Sequence, residues 1–412
     1  MQVEDGIMSF PQSGARGLSA VNGRSLRPWG ALLAGLLALV APACSQPEAQ
    51  VKAPDPCALI AARTPGPLAD ERSKTTDPLA LAKLFVREAH QTADPGFYTL
   101  AEAATTCALS RKPDDLEARR TRAFVWYQFH RFKDVESEAR ALVAAGGTPE
   151  DQMLLGDALM EQGRLDDAAN AYQAVVNQTG GLEIYVRVGW LRWLWGDLDG
   201  AIQMDQLALQ AAGGVDTDAL AFALTDLGWL RALRGEAGDE IEQALHLDPS
   251  STRAHLLRGR LRLYRGDQAG AAEDAAAAGE TWEAARLQHE LKPELSLASA
   301  CGRDPRGCAC WEAEDQPEVA LKALDQELQN RQDALTKMCH AYARFRLGQD
   351  AADEARAALA TGTRDPQVLM MGGLVLHDPG PLNAALTLGP GLLPSERARV
   401  QAALSAPGDN TR

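Results

Sequence analysis

A small residue, glycine or alanine, recurs through the middle of the chain at a nearly constant spacing. The steps between successive copies are 34, 33, 33, 39 and 31 residues, so the last two together restore the phase to within a few residues. Self-similarity at a period of about 20 to 50 residues predicts a stack of repeated units rather than one globular core. The recurring positions are Ala89, Ala123, Gly156, Gly189, Gly228 and Gly259.

The best-preserved copy runs from Leu155 to Tyr172 and predicts two helices joined by a turn. Leu155 and Gly156 lie on one face of the first helix. Gly163 ends this helix, because glycine adopts the left-handed conformation without a steric penalty. Ala168 and Tyr172, four residues apart, lie on one stripe of the second helix. One such hairpin cannot bury its own apolar face, so its stability must come from stacking on the next hairpin.

The units resemble tetratricopeptide repeats, whose pattern is leucine and a small residue, a turn glycine, an alanine, an aromatic residue and a closing proline. The unit after the best-preserved copy keeps Gly189 and Gly196 but has Asp205 in place of the aromatic residue. Six units in near-constant phase cover about half of the chain. The resemblance implies an all-α fold, a right-handed superhelical solenoid of antiparallel helix pairs, followed by a diverged helical C-terminal part.

Composition and motifs limit the function classes. Aromatic residues make up only 5% of the chain, and no segment alternates β-branched and polar residues as a strand would. The net charge of −15 argues against nucleic acid as a partner, because duplex binders need basic clusters. The chain has no glycine-rich phosphate loop, GxSxG elbow or HExxH pair. We therefore expect no enzymatic activity, no cofactor and no metal.

The N-terminal stretch has the pattern of an export signal. Three arginines precede 15 apolar or small residues, Trp29 to Ala43, which end in Ala-Pro-Ala before Cys44. Such a run is shorter than the roughly 20 residues that span a bilayer, but it suits a signal peptide. The cysteine after the cleavage point resembles that of a bacterial lipoprotein, which implies a lipid on Cys44. The alternative is ordinary cleavage before an unmodified Cys44, and the start codon is either Met1 or Met8.

The remaining chain divides by composition and periodicity. A proline-rich stretch before the repeats has no periodic apolar face and reads as a tether, and the segment around Cys301 to Trp311 reads as a loop. The predicted divisions are a signal peptide at 1–43, a flexible tether at 44–76, the repeat solenoid at 77–290, a Cys-rich connector at 291–315, diverged helical repeats and a cap at 316–404, and a disordered tail at 405–412.

Six cysteines remain if Cys44 carries a lipid, and an exported chain favours disulfides among them. The sequence alone does not fix the connectivity. An alternative is a metal-binding or thiol-redox site in the 301–340 region, although the spacing there lacks the paired C-x2-C of zinc sites. A connectivity that would fit is one bond joining Cys57 to Cys107 and two bonds among Cys301, Cys308, Cys310 and Cys339.

The tetratricopeptide resemblance implies a concave face lined by the first helix of each unit, at unit positions two, five, nine, twelve and thirteen. Three tryptophans fall on this face, and aromatic and arginine side chains dominate binding hot spots. The alternative is that these rings pack against the adjacent repeat. For Trp193 and Trp229 both interpretations remain open. The candidate groove residues are Arg120, Phe124, Tyr127, Met153, Asp157, Met160, Trp190, Trp193, Trp229, Arg260 and Tyr264.

Together these features predict an exported, lipid-anchored scaffold or adaptor of the bacterial cell envelope, facing the periplasm or the cell surface. It would bind a protein or peptide on its concave face and touch the membrane only through the lipid. Two alternatives remain open. One is a cysteine-based metal or redox protein, and the other is a purely structural lipoprotein with no peptide ligand.

Overall fold

The computed structural model describes residues 55–61, 65–92, 94–213, 217–298, 300–301 and 304–406. Within these ranges the chain forms 22 α-helices and no β-strand, which confirms the predicted all-α fold class. Among these helices, none has both the length and the apolar character needed to cross a bilayer. The predicted signal peptide, Cys44 and residues 407–412 lie outside the described residues.

Six antiparallel helix pairs follow one another at the spacing that the recurring small residues predict. In each pair a first helix is followed by a short turn and a second helix. The pairs are α3 (Pro78–Thr92) with α4 (Gly96–Arg111), α5 (Leu116–Gln128) with α6 (Phe132–Ala144), α7 (Pro149–Glu161) with α8 (Leu165–Val176), α9 (Leu182–Leu194) with α10 (Leu198–Gln210), α11 (Thr217–Leu233) with α12 (Glu240–Leu247), and α13 (Thr252–Tyr264) with α14 (Gln268–Ala277). Two short helices, α1 (Pro56–Ala61) and α2 (Ala69–Arg72), precede them.

The hairpin of α7 and α8 shows why these residues fold in this way. Thr148 and Asp151 form a reciprocal capping box at the start of α7, which satisfies two backbone donors of the first turn. Gly163, with φ of +70°, makes the turn between the helices. A Cβ on Gly156 would lie 2.3 Å from the ring of Tyr172, so the absence of a side chain lets the two helices approach closely.

Helices continue after the sixth pair, in a less regular order. They are α15 (Trp282–Leu291), α16 (Pro305–Glu312), α17 (Pro317–Glu327), α18 (Ala334–Arg346), α19 (Ala352–Leu359), α20 (Pro366–Leu376), α21 (Pro379–Thr387) and α22 (Pro394–Ser405), with a 3-10 turn at Gly389–Gly391. Helix α16 falls in the segment that the sequence presents as a loop. Asp304 caps this helix by accepting the backbone N–H of Gly307 at 2.9 Å, and Pro305 has the fixed φ that suits a first helical position.

The C-terminal helices pack along the turns that follow the first helices of the repeats, and they meet the repeats in chain order. The backbone N–H of Gln332 donates to the carbonyl of Glu161 at 3.0 Å. A Cβ on Gly196 would lie 2.1 Å from the carbonyl oxygen of Gly362, which places that part of the chain against the next unit. Further on, Arg260 donates to the carbonyl of Gly391 at 2.7 Å.

The largest buried cluster, here the central cluster, joins both halves of the chain. The repeat helices contribute apolar side chains that lie near the turns between paired helices. The C-terminal helices contribute the apolar side chains that pack against them. This arrangement buries apolar surface that a linear stack would expose. Its members include Trp193, Leu227, Leu230 and Leu233 from the repeats, and Met338, Tyr342, Val368, Met371 and Leu388 from the C-terminal helices.

Three disulfides occur among the described residues, and they fit the expected bond between Cys57 and Cys107 with two bonds among the other four cysteines. They join Cys57 to Cys107, Cys301 to Cys308, and Cys310 to Cys339.

The first disulfide joins α1 to α4. Helix α1 lies inside the stretch predicted as a tether, at residues 44–76. Nearby, the backbone N–H of Leu68 donates to Glu88 at 2.9 Å, and buried Arg72 pairs with the same carboxylate at 2.8 Å. Residues 65–76 therefore have specific contacts with the first repeat, which the lack of an apolar period in the sequence did not reveal.

Candidate partner-binding surface

The predicted groove residues separate into three levels of exposure. Met153, Met160 and Trp193 are buried, and Trp193, at 4% exposure, belongs to the central cluster. Trp190, on the same helix, is 39% exposed, and Tyr264 is also exposed. The half-buried members are Arg120, Phe124, Tyr127, Asp157, Trp229 and Arg260.

The polar groove residues of the earlier units have partners within the chain. Arg120 forms a bidentate pair with buried Asp151, at 2.8 and 3.0 Å, and this hydrogen bonding raises the pKa of Arg120. Asp157 accepts from Tyr172 at 2.6 Å and from Arg187 at 3.0 Å. These side chains therefore link adjacent repeats in the structure.

Tyr127 is similarly engaged, since its hydroxyl donates to Glu161 at 3.4 Å. Burial, followed by the nearby carboxylates of Glu161 and Asp157, raises the pKa of Tyr127 well above its ordinary value. Trp126 donates its indole N–H to Glu102 at 2.8 Å, and the guanidinium groups of Arg122 and Arg131 both stack on its ring.

The chain's own C-terminal part contacts the groove residues nearest the turns of the later units, although Tyr264 stays 49% exposed. Trp193 lies in the central cluster, and Arg397 stacks over the ring of Tyr264 at 5.2 Å. Arg260 stacks over Trp229 at 5.4 Å while it bonds to Gly391. An external segment could not reach Trp193 without displacing these helices.

The part of the concave face away from the turns stays open. Phe222, at position two of its unit, is 45% exposed, and Arg253 stacks over its ring at 5.2 Å. Arg253 also pairs with Asp226 through its Nε at 2.8 Å. Neither Phe222 nor Arg253 is among the predicted residues, although the same unit numbering assigns both to position two. We call Trp190, Phe222 and Arg253 the open groove.

A cavity of about 360 Å³ lies between α13 and α15, beside the open groove. Leu393, which precedes α22, closes one side of it. Its lining combines arginine and leucine side chains with one acid. These residues are Thr252, Arg253, Leu256, Leu257, Arg260, Glu283, Arg286, Leu287 and Leu393.

One group of possible metal ligands occurs in the described part of the chain, formed by Cys301, Cys308 and Glu312. The Glu312 carboxylate lies 4.0 Å from the sulfur of Cys301. Metal ligation by cysteine requires the thiolate, and both sulfurs are bonded to each other in this structure. This group fits a structural disulfide better than a metal centre.

The structure thus defines an all-α protein of stacked helix pairs with a partly covered concave face. Solved structures similar to this chain include a tetratricopeptide repeat protein from Parabacteroides merdae, at 13% identity over 64% of this chain and 99% of that chain, with a TM-score of 0.38. Yeast Tom70 matches at 13% identity over 78% of this chain and 91% of that chain, with a TM-score of 0.36. The human IFIT1 dimer with m7Gppp-AAAA matches at 15% identity over 75% of this chain and 68% of that chain, with a TM-score of 0.38. No protein-family model and no curated protein matches the sequence.

Proposed function

We propose that this chain is an exported, lipid-anchored scaffold of the bacterial cell envelope that binds a protein partner at the open groove. The observation that carries the proposal is the exposure of two large aromatic side chains, Trp190 and Phe222, on the concave face of the repeat stack. Exposed aromatics beside a cationic side chain supply contact area and directional hydrogen bonds to a partner.

Export and anchoring are supported by the sequence. The apolar run from Trp29 to Ala43 and the cysteine after it have the pattern of a lipoprotein signal. Three disulfides in the described part of the chain are typical of an oxidising compartment outside the cytoplasm. The lipid would hold the scaffold at a membrane while the open groove receives the partner.

The test is cross-linking in cells that produce the tagged full-length protein, followed by identification of the captured proteins. We compare the wild type with the double variant Trp190→Ala/Phe222→Ala. The matched control is Val319→Ala, which removes an equally exposed apolar side chain from α17. We expect the wild type to capture a protein that the control also captures and that the double variant does not capture.

Two results would reject the proposal. Capture of the same proteins by all three forms would show that the partner docks elsewhere. Capture of no protein above background, with all three forms folded, would favour the purely structural alternative.

A further inference from the structure

The cavity between α13 and α15 has a cluster of arginine side chains in its lining. Arg253, Arg260 and Arg286 line it, and Glu283, which is exposed at its rim, is the only acid in its lining. The charge that this cavity offers to a ligand depends on which of these arginines already have an acidic partner.

Two of the three arginines are already neutralised. Arg253 pairs with Asp226 at 2.8 Å, and Arg286 pairs with Glu396 at 2.5 Å. Arg260 differs, since within the described residues no carboxylate lies at ion-pair distance from it. Its Nη2 donates to a backbone carbonyl, and its guanidinium stacks on an indole ring.

The Nε of Arg260 is buried and has no hydrogen-bond partner among the described residues. Burial lowers the pKa of Arg260, while Glu396, Asp365 and Glu283 attract the charge only from longer range and Arg286 repels it. Arg260 is thus a half-buried cation without an acidic partner, and an anion in the adjoining cavity would supply the missing counter-charge.

The rest of the cavity is apolar, with four leucines that include Leu256 and Leu287. Its volume of about 360 Å³ is at the lower end of the range for small-molecule sites, about 300 to 1,000 Å³. Polar donors at one point and aliphatic walls around it match a ligand with one charged end.

We propose that this cavity binds a small amphiphile with one anionic head and a short aliphatic chain. The head lies beside Arg260, and the chain lies among the leucines. A carboxylate and a phosphate head would make the same contacts, so the proposal concerns the anionic group itself. This site adjoins the open groove and shares Arg253 with it, but its ligand is a small anionic molecule rather than a protein.

Isothermal titration calorimetry of the purified full-length protein tests the proposal with four eight-carbon probes. These are octanoate, octyl phosphate, octan-1-ol and octylammonium. We expect the better anion to bind at least about tenfold more tightly than the alcohol, because hydrogen bonds to charged groups are the stronger ones. Tighter binding of octanoate would identify a carboxylate as the preferred head, and tighter binding of octyl phosphate would identify a phosphate. Equal binding of anion and alcohol, or binding of octylammonium alone, would overturn the proposal.

Variants locate the head and the chain. Arg260→Gln should weaken anion binding at least about tenfold, whereas Arg140→Gln, an exposed arginine on α6, should leave it unchanged. Glu283→Gln removes the one repelling carboxylate at the rim and should tighten binding about twofold to threefold. Leu256→Trp fills the cavity and should abolish binding of all probes.

Because Arg260→Gln also loses the bond to Gly391, thermal unfolding is measured for each variant. If that variant does not fold, Glu283→Gln and Leu256→Trp decide the question. Unchanged affinity in both would overturn the proposal. Trp190→Ala alone, which leaves Arg253 stacked on Phe222, should keep the anion affinity, so failure of the scaffold function and failure of this site give different results.

Discussion

Asp205 provides a sharp prediction, because it is a buried carboxyl group in place of the aromatic residue of the repeat pattern. The residue is 2% exposed, and its Oδ2 has no hydrogen-bond partner among the described residues. Burial, and next the negative charge of Asp226, raise the pKa of Asp205 to about 8, and Arg253 offsets this only in part. Asp205 is therefore protonated in the folded protein at neutral pH.

The sign of the pH dependence follows from the two states. An unfolded aspartate has a pKa of about 3.9, so between about pH 4 and pH 8 the folded state holds a proton that the unfolded state has released. The contribution of this group to the free energy of unfolding is fully present below pH 4 and is lost as the pH rises to 8. The slope is about 1.4 kcal/mol per pH unit, so the contribution falls by about 4 kcal/mol between pH 5 and pH 8.

The perturbation is Asp205→Asn, which cannot ionise. Its unfolding free energy relative to the wild type should rise by several kcal/mol between pH 5 and pH 8. Urea unfolding, followed by tryptophan fluorescence with the disulfides intact, measures this difference at each pH. Other groups titrate in both proteins and cancel in the comparison.

The matched control is Asp199→Asn, on the same helix but highly exposed. Its difference from the wild type should stay within about 0.5 kcal/mol at every pH. A constant difference between Asp205→Asn and the wild type from pH 5 to pH 8 would refute the reasoning.

Three further predictions concern a disulfide, an ion pair and the lipid at Cys44. Cys57→Ser removes a disulfide between residues 50 apart in sequence and should lower the free energy of unfolding by about 4 kcal/mol. The measurement is the midpoint of urea unfolding, which should fall. An unchanged midpoint would show that this bond to α1 contributes nothing to stability. Arg331→Met removes the ionic partner of the Glu161 carboxylate, which lies 3.1 Å from the arginine Nε, and should cost about 3 kcal/mol, with faster amide exchange at the α7–α8 turn. Protection equal to the wild type there would contradict the C-terminal packing. Metabolic labelling with an acyl chain should mark the wild type and not Cys44→Ala, and label that survives in the variant would reject a lipid at that residue.

The sequence predicted the local structure well because hairpin formation depends on nearby residues. The spacing of Gly156 and Gly189 reflects the close approach of paired helices, and Gly163 has the positive φ that a turn requires. Helix α16 was missed because the two glycines and three cysteines of residues 301–311 obscured an Asp-Pro helix start. The cap and the first-turn proline were the signal that could have found it.

The surface could not be predicted to the same degree, because exposure depends on chain segments far away in sequence. Trp190 and Trp193 have the same residue type, on one helix and three residues apart. The C-terminal helices place Trp193 in the central cluster and leave Trp190 exposed, and no local pattern encodes that difference. For the same reason, the cavity beside Arg260 needs Leu393 and Gly391, more than 100 residues downstream.

Site-specific photo-cross-linking at these two tryptophan positions tests the central claim most directly. A photoreactive amino acid replaces Trp190 in one form of the full-length protein and Trp193 in another, and both are irradiated in cells. We predict that the group at 190 captures a separate protein, whereas the group at 193 cross-links to the chain's own C-terminal helices. Capture of the same partner from both positions, or of no partner from 190, would contradict it.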